Sequence, residues 1–288
     1  MRQLLQGLTT RPLRYRDVRD LERRAAGCAA LGLAAPVPLD LDQAPLPEER
    51  NTIVGAIVAA FVSAAPGAGA TTVAAGLADL LAQEGHACGV VDLAPPGELA
   101  RRLAPAAPPL EDGEFARVRS RTGVEVVAAR CRAGGDVAPQ AIAASWERIA
   151  TTFAGCACIV ADVPASAAAM QAALTTADEV IVVVRGSGAP ADAARALAAW
   201  PRGARAPLRF LQNAFDARRA ADRASRAALE AVLGPAFLPF VVHEDPAVGG
   251  VPAGASLAEH AAESQALRDL SELAAWLLRR PEARAVRG

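Results

Sequence analysis

The sequence predicts an α/β fold, a mostly parallel doubly wound sheet with helices on both faces. From about residue 51, continuous apolar runs of strand length alternate with segments of helical spacing. Strands buried on both faces read as such runs. A glycine-rich turn, Gly67 to Gly69, directly follows the first run and opens a helical segment, and two later runs end in aspartate, Asp92 and Asp162. In open α/β sheets ligands bind beyond the carboxyl ends of the strands, so turn and aspartates are expected on one edge.

Residues 1–50 differ from the rest. Arg14 to Leu33 predicts one helix with Asp17, Asp20 and Glu22 near its start, and a Pro/Asp/Glu-rich run to Arg50 reads as a linker. Residues 51–281 form the expected sheet domain, and 282–288 a polar tail. The strand expectations are Ile57–Val62, Cys88–Asp92, Val124–Ala129, Cys156–Asp162, Glu179–Val184, Leu208–Gln212 and Leu238–Val242. Between them, Thr71–Gln83 has helical spacing through Val73, Leu77, Leu80 and Leu81 and stops at Gly85. Pro139–Phe153, Ala189–Trp200 and Ala220–Leu233 are further helices. The last helix, Ser264 to Arg280, carries an apolar stripe at Leu267, Leu270, Leu273, Ala274 and Leu277. Packing on the sheet is its plain reading, and membrane binding the alternative.

Composition narrows the function classes. Hydrophobic residues make up 52% and aromatics 4%, so the core is built from Ala, Val and Leu. The net charge of −1 disfavours a dedicated nucleic-acid binder. Arginine clusters at Arg101-Arg102, Arg117/Arg119/Arg121 and Arg218-Arg219 read first as solvated surface. Met1 to Arg16 has no apolar run of the secretory kind, and Ile53 to Val62 is too short to span a bilayer. A cytoplasmic location is expected, with a peripheral place at the inner membrane through partners as the alternative. Five cysteines, Cys28, Cys88, Cys131, Cys156 and Cys158, form no C-x-x-C pair and read as small buried apolar residues, with Cys156 and Cys158 sharing a strand face. His86, His243 and His260 are scattered without metal-ligand spacing.

The glycine turn carries the chemistry. A P-loop reads G-x-x-x-x-G-K-[ST]: glycines let backbone N–H groups wrap the phosphates, lysine reaches the β/γ-phosphates, and Ser/Thr binds magnesium. In Ala65-Pro66-Gly67-Ala68-Gly69-Ala70-Thr71-Thr72, Ala70 stands at the lysine position. All 30 basic residues of the chain are arginine, so no lysine can come from elsewhere in it or from an identical subunit. An ordinary strand-to-helix turn is the alternative. Against that, Asp162 sits where a Walker B aspartate orders magnesium and its waters. Asp92 and Asn213 end two further strands, where Asn213 could meet an adenine edge. Each taken alone fits a turn or helix cap.

Residues Ile53 to Leu278 resemble the ParA/MinD family of deviant-Walker P-loop ATPases. Ala65 to Thr72 matches that family's K-G-G-x-G-K-[ST]-T position by position, and Val90 to Pro95 resembles its strand-end D-x-D-P. Ile159 to Pro164 resembles its Walker B strand, and Ala177 to Val184 its next strand. The resemblance implies ATP and magnesium as ligands, a homodimer, Gly67, Ala68, Gly69, Ala70, Thr71, Thr72 and Asn213 at the nucleotide, and Thr71 and Asp162 at magnesium. An apo state fits the residues equally well. The departures fall together. Ala65 replaces the signature lysine that crosses the dimer, Ala70 the loop lysine and Ala94 the water-positioning aspartate, while Pro66 removes one backbone donor. The expectation is a pseudo-ATPase with no catalytic residues, in which ATP binding is possible and hydrolysis is very slow or absent.

The narrower resemblance is to the cellulose-biosynthesis branch, BcsQ or YhjQ. It rests on Gly67 to Thr72, Asp92 to Pro95, Leu211 to Arg218, Leu238 to Asp245, Ala262 to Ala266, Asp269-Leu270 and Ala275 to Leu278. Leu4 to Leu8, Leu13 to Val18, Glu22 and Ala25-Ala26 resemble BcsR, a small partner that docks on BcsQ; a loosely packed extension is the alternative. These likenesses imply a regulatory or assembly scaffold with cellulose synthase components as partners, no nucleic acid, and the membrane reached only indirectly. Alternatives are a polar, septal or pilus-assembly positioning factor, an ATPase using an arginine such as Arg185, and a DNA-partition ATPase.

Overall fold

The computed structural model describes residues 56–94, 97–106, 115–129, 152–153, 155–164, 173, 177–199 and 206–279. The expected N-terminal helix and BcsR-like segment, nearly all of the 139–153 helix, Pro95, Cys28, Cys131 and the polar tail lie outside them.

The strands are β1 (Ile57–Ser63), β2 (Cys88–Asp92), β3 (Phe115–Arg119), β4 (Glu125–Ala129), β5 (Cys158–Val163), β6 (Glu179–Arg185), β7 (Leu208–Phe215) and β8 (Phe237–His243). The helices are α1 (Ala70–Gln83), α2 (Glu98–Leu103), α3 (Ala189–Ala199), α4 (Ala220–Leu233), α5 (Pro246–Gly250), α6 (Leu257–His260) and α7 (Gln265–Leu278). The strands form one sheet in the order β3-β4-β2-β5-β1-β6-β7-β8. Every pairing is parallel except β3 with β4.

Strand β1 lies between β5 and β6 and is buried along Ile57–Val62. Alternation sends its residues to two apolar layers. Ala59 and Phe61 join Val90, Val160, Ile181, Val183 and Leu211 under α1 and α7. Val58, Ala60 and Val62 join Ile159, Val182, Val184 and Phe210 under α3 and α4. Such double coverage is what makes these strands uniformly apolar.

Several boundaries differ from the sequence expectation. Strand β3 had no counterpart in it, because Phe-Ala-Arg-Val-Arg alternates apolar and charged residues at a sheet edge. Arg117 and Arg119 both reach Glu125 across the pair, at 3.0 and 3.5 Å. Strand β7 continues to Phe215, so Asn213 lies inside a strand rather than ending it. The pairing to β8 shifts register here, and Ala214 has φ 51°. This left-handed residue makes the kind of irregularity that period-2 reading does not capture. Strand β5 begins at Cys158, not Cys156. The chain turns into it through Gly155, and the Cys156 N–H bonds to the Phe153 carbonyl at 3.0 Å. Cys156 therefore packs on the α3/α4 layer and Cys158 on the α1/α7 layer, and the two do not share a face. The last helix starts one residue later than expected, with the Ser264 hydroxyl accepting from the Leu267 N–H as N-cap. Its apolar stripe is packed on α1 and the sheet, with Leu270, Leu273, Ala274 and Leu277 buried. Among the described residues no helix is long and apolar enough to cross a membrane.

The core tolerates no added volume at Gly89 in β2. A Cβ there would meet the Phe153 ring at 2.6 to 2.8 Å, and that ring is itself buried. Gly89→Ala is expected to destabilise the fold by about 1–3 kcal/mol. Urea unfolding should show a lower midpoint at unchanged m-value.

Candidate functional site

The loop from Ala64 to Gly69 leaves β1 and enters α1. Gly67 and Gly69 have φ 77° and 96°, the left-handed region that glycine adopts without strain. The Ala68 N–H bonds back to the Ala65 carbonyl at 3.1 Å, closing a turn. The first bond of α1 runs from the Val73 N–H to the Gly69 carbonyl at 3.0 Å. The N–H groups of Ala70, Thr71 and Thr72 therefore precede the helical ladder and have no intrahelical acceptor. With the positive end of the helix dipole they make a cradle suited to an anion. Pro66 and Gly67 are exposed, whereas Ala68 and Ala70 are buried in the α1/α7 layer.

Asn213 fixes the loop from the neighbouring side. Its Nδ2 donates to the Ala68 carbonyl at 2.8 Å. A Cβ on Gly69 would stand 2.3 Å from that same nitrogen, so residue 69 must be glycine for the amide to approach. The sequence reading placed Asn213 at this edge for an adenine. In the structure its amide holds the loop backbone.

Thr71 and Asp162 come together: the Thr71 hydroxyl donates to Asp162 Oδ2 at 2.6 Å. Burial pushes the Asp162 carboxyl up to about 6, against the lowering effect of the Thr71 hydrogen bond. Asp92 lies beside Asp162 in the β2–β5 register. It is fully buried and accepts from the backbone N–H groups of Ala100 at 2.8 Å and Ala94 at 3.2 Å. It thus serves as the cap that Gly97, at the start of α2, cannot provide. Burial first, and the nearby Asp162 charge, push the Asp92 carboxyl up to about 7, although the Ala100 N–H pulls the other way. A hydroxyl beside a carboxylate is an oxygen donor set that fits magnesium, a cation that keeps several of its own waters. Among the described residues no group of three or more His, Cys, Asp or Glu side chains could hold a metal ion.

The ends of β6, β7 and β8 carry a charged cluster that the sequence reading did not assemble. Arg219 pairs with Glu244 at 2.6 Å, Arg185 approaches the same carboxylate at 3.6 Å, and Arg218 pairs with Asp216 at 3.0 Å. The Arg218 guanidinium holds the Asp216 carboxyl down at about 2. Beyond β8, Asp245 caps α5 through the Ala247 N–H and also accepts from the Ser264 hydroxyl at 2.8 Å. Asp269 of α7 accepts from both the backbone N–H and ring Nδ1 of His243, at 2.7 and 2.9 Å. The hint in the sequence was Asp269, a carboxylate inside an apolar stripe.

No protein-family model and no curated protein matches the chain. Solved structures do. Cobyrinic acid a,c-diamide synthase from Mycobacterium smegmatis, with bound ADP and magnesium, is similar at TM-score 0.60 and 20% identity, over 79% of this chain and 96% of that one. A chain of the MinC:MinD cell division protein complex of Aquifex aeolicus is similar at TM-score 0.64 and 18% identity, over 78% and 97%. The cell division ATPase MinD of Pyrococcus furiosus is similar at TM-score 0.60 and 24% identity, over 76% and 96%. The fold is therefore that of the ParA/MinD-type P-loop ATPases.

The raised carboxyls have a stability consequence. Asp92 binds a proton more tightly folded, at about 7, than its ordinary value of 3.8. Its contribution is fully present below about pH 4 and is lost as pH rises through 7. Asp92→Asn keeps an acceptor for the backbone donors and removes this charge. The variant is expected to gain on the order of 2 kcal/mol over wild type at pH 8. Near pH 5 most of that gain should vanish, as read by urea unfolding of both proteins at the two pH values.

Proposed function

We propose that this chain binds Mg-ATP on the loop between β1 and α1, hydrolyses it very slowly or not at all, and works as a nucleotide-dependent dimeric scaffold. One observation carries the reading. The amides of Ala70 to Thr72 and the Thr71–Asp162 pair are arranged as a phosphate and magnesium site needs. Ala65, Ala70 and Ala94 meanwhile leave the site without the cations and carboxylate that turnover requires. The similar synthase from Mycobacterium smegmatis, solved with ADP and magnesium, supports this choice of ligand.

Magnitudes separate binding from chemistry. A hydrogen bond to a charged group is worth about 1.5–3 kcal/mol. Two lost lysines therefore weaken binding by roughly 10²–10⁴-fold and leave the amide cradle in place. A cation aimed at the transferring phosphoryl group is worth about 10³–10⁵ in rate. Losing it together with the water-positioning carboxylate removes nearly all turnover. In the chain itself, Thr71 and Asp162 would hold the magnesium, and the Asn213 carbonyl oxygen would meet the adenine amine. Magnesium would supply charge neutralisation between the phosphates.

The resemblance of Leu211–Arg218 and Leu238–Asp245 to the cellulose-biosynthesis branch supports a finer reading. On it, the dimer is a regulatory or assembly scaffold at the cytoplasmic face of a cellulose synthase complex, with residues 1–50 acting as a fused docking partner. A short linker would hold that segment at roughly millimolar effective concentration.

Calorimetric titration with Mg-ATP, run beside a phosphate-release assay, tests the site. Saturable binding with no turnover above background is expected, and Thr71→Ala should weaken the magnesium-dependent part. Robust hydrolysis by the wild-type chain would overturn the pseudo-ATPase reading. For the scaffold role, the chain should capture cellulose synthase components in a pull-down, more strongly with ATP. No capture under either condition counts against it.

A further inference from the structure

The loop lacks a cation, yet the strand beside it ends in an arginine. Arg185 is the last residue of β6, and its register partner in β7 is Asn213, the residue that holds the loop through Ala68. Parallel neighbours lie about 5 Å apart, and residues two apart on a strand face the same way. Ile181 and Val183 of β6 and Leu211 of β7 all enter the layer under α1. By that alternation Arg185 and Asn213 project to the face on which α1 and its loop lie. On its other side β6 pairs with β1, with Val183 opposite Ser63, and the Ala64 N–H bonds to the Val183 carbonyl at 2.9 Å. Arg185 is thus two residues past the point where the loop leaves the sheet.

Its present partnership is weak. Its guanidinium is half-exposed and 3.6 Å from Glu244, whose other oxygen pairs with Arg219 at 2.6 Å. Exposed ion pairs of this kind contribute little. A guanidinium on phosphate makes shorter, charge-assisted bonds in fork geometry. Arg185 therefore gives up little on leaving its pair, and a phosphate held on the loop would be the stronger acceptor.

We propose that Arg185 supplies the cation that the loop lacks, leaving Glu244 to meet the phosphate tail of a nucleotide held on Ala70 to Thr72. This rests on the nucleotide reading above and deepens it: Glu244 becomes a parking place for the guanidinium in the empty site. The chain then binds a polyphosphate with arginine alone, and affinity is set by the competition between one carboxylate and the ligand.

Calorimetric titration with Mg-ATP on wild type, Arg185→Ala, Arg185→Lys and Glu244→Gln tests it. Arg185→Ala is expected to raise Kd about tenfold, with the urea midpoint unchanged because the side chain is on the surface. Arg185→Lys, which keeps the charge, should recover most of that loss. Glu244→Gln should tighten binding several-fold by freeing the guanidinium. Equal affinity of Arg185→Ala and wild type, or weaker binding by Glu244→Gln, overturns the role of Arg185 while leaving the site standing. No binding by wild type at millimolar Mg-ATP overturns the nucleotide reading itself, and the wild-type titration alone reveals it.

Discussion

Strand β1 is held between β5 and β6 and buried on both faces, and the site depends on that pairing. The register of Phe61 with Asp162 brings the Walker B-like carboxylate level with the end of β1. The register of Ser63 with Val183 sets where the loop departs and which residue of β6 accompanies it. A slip of one residue would turn every apolar side chain of β1 to the wrong layer. Two apolar layers therefore fix the positions of the polar groups at the strand ends.

The carboxyl edge shows how the protein manages charge without water. Asp92 and Asp162 are buried side by side, and burial raises both. Each is kept by a specific donor, the Ala100 N–H for Asp92 and the Thr71 hydroxyl for Asp162. Buried polar groups persist when so satisfied. The two aspartates differ in what their donors can release. Asp92 is committed to the backbone at α2, whereas Asp162 is held by a side-chain hydroxyl, which on the proposed reading would turn to a cation.

Much of the fold was legible because its central strands are uninterrupted apolar runs. Val180–Val184 and Ile159–Ala161 allow no other burial pattern in a chain of this composition. The glycine loop was legible for a similar reason, since Gly67 and Gly69 sit just where the backbone turns left-handed. What the sequence concealed was set by partners far along the chain. Strand β3 exists through its antiparallel pairing with β4, and the Glu125 contacts of its arginines only accompany that pairing. Cys156 and Cys158 part company because a turn precedes β5. The hold of Asn213 on the loop goes with the register shift around Ala214 and the bare Cα of Gly69, neither of which periodicity records. The cluster of Arg185, Glu244 and Arg219 spans three strand ends, so no stretch of sequence contains it.

The bond from Asn213 to the Ala68 carbonyl closes a small bracket across two strands. That bond ties the shape of the loop to β7. On the proposed nucleotide reading, an anion entering the cradle would have less of the loop left to order. The loop thus behaves as a socket with fixed walls. On that reading its occupancy would be felt first through charge, in the carboxylates and guanidiniums around it.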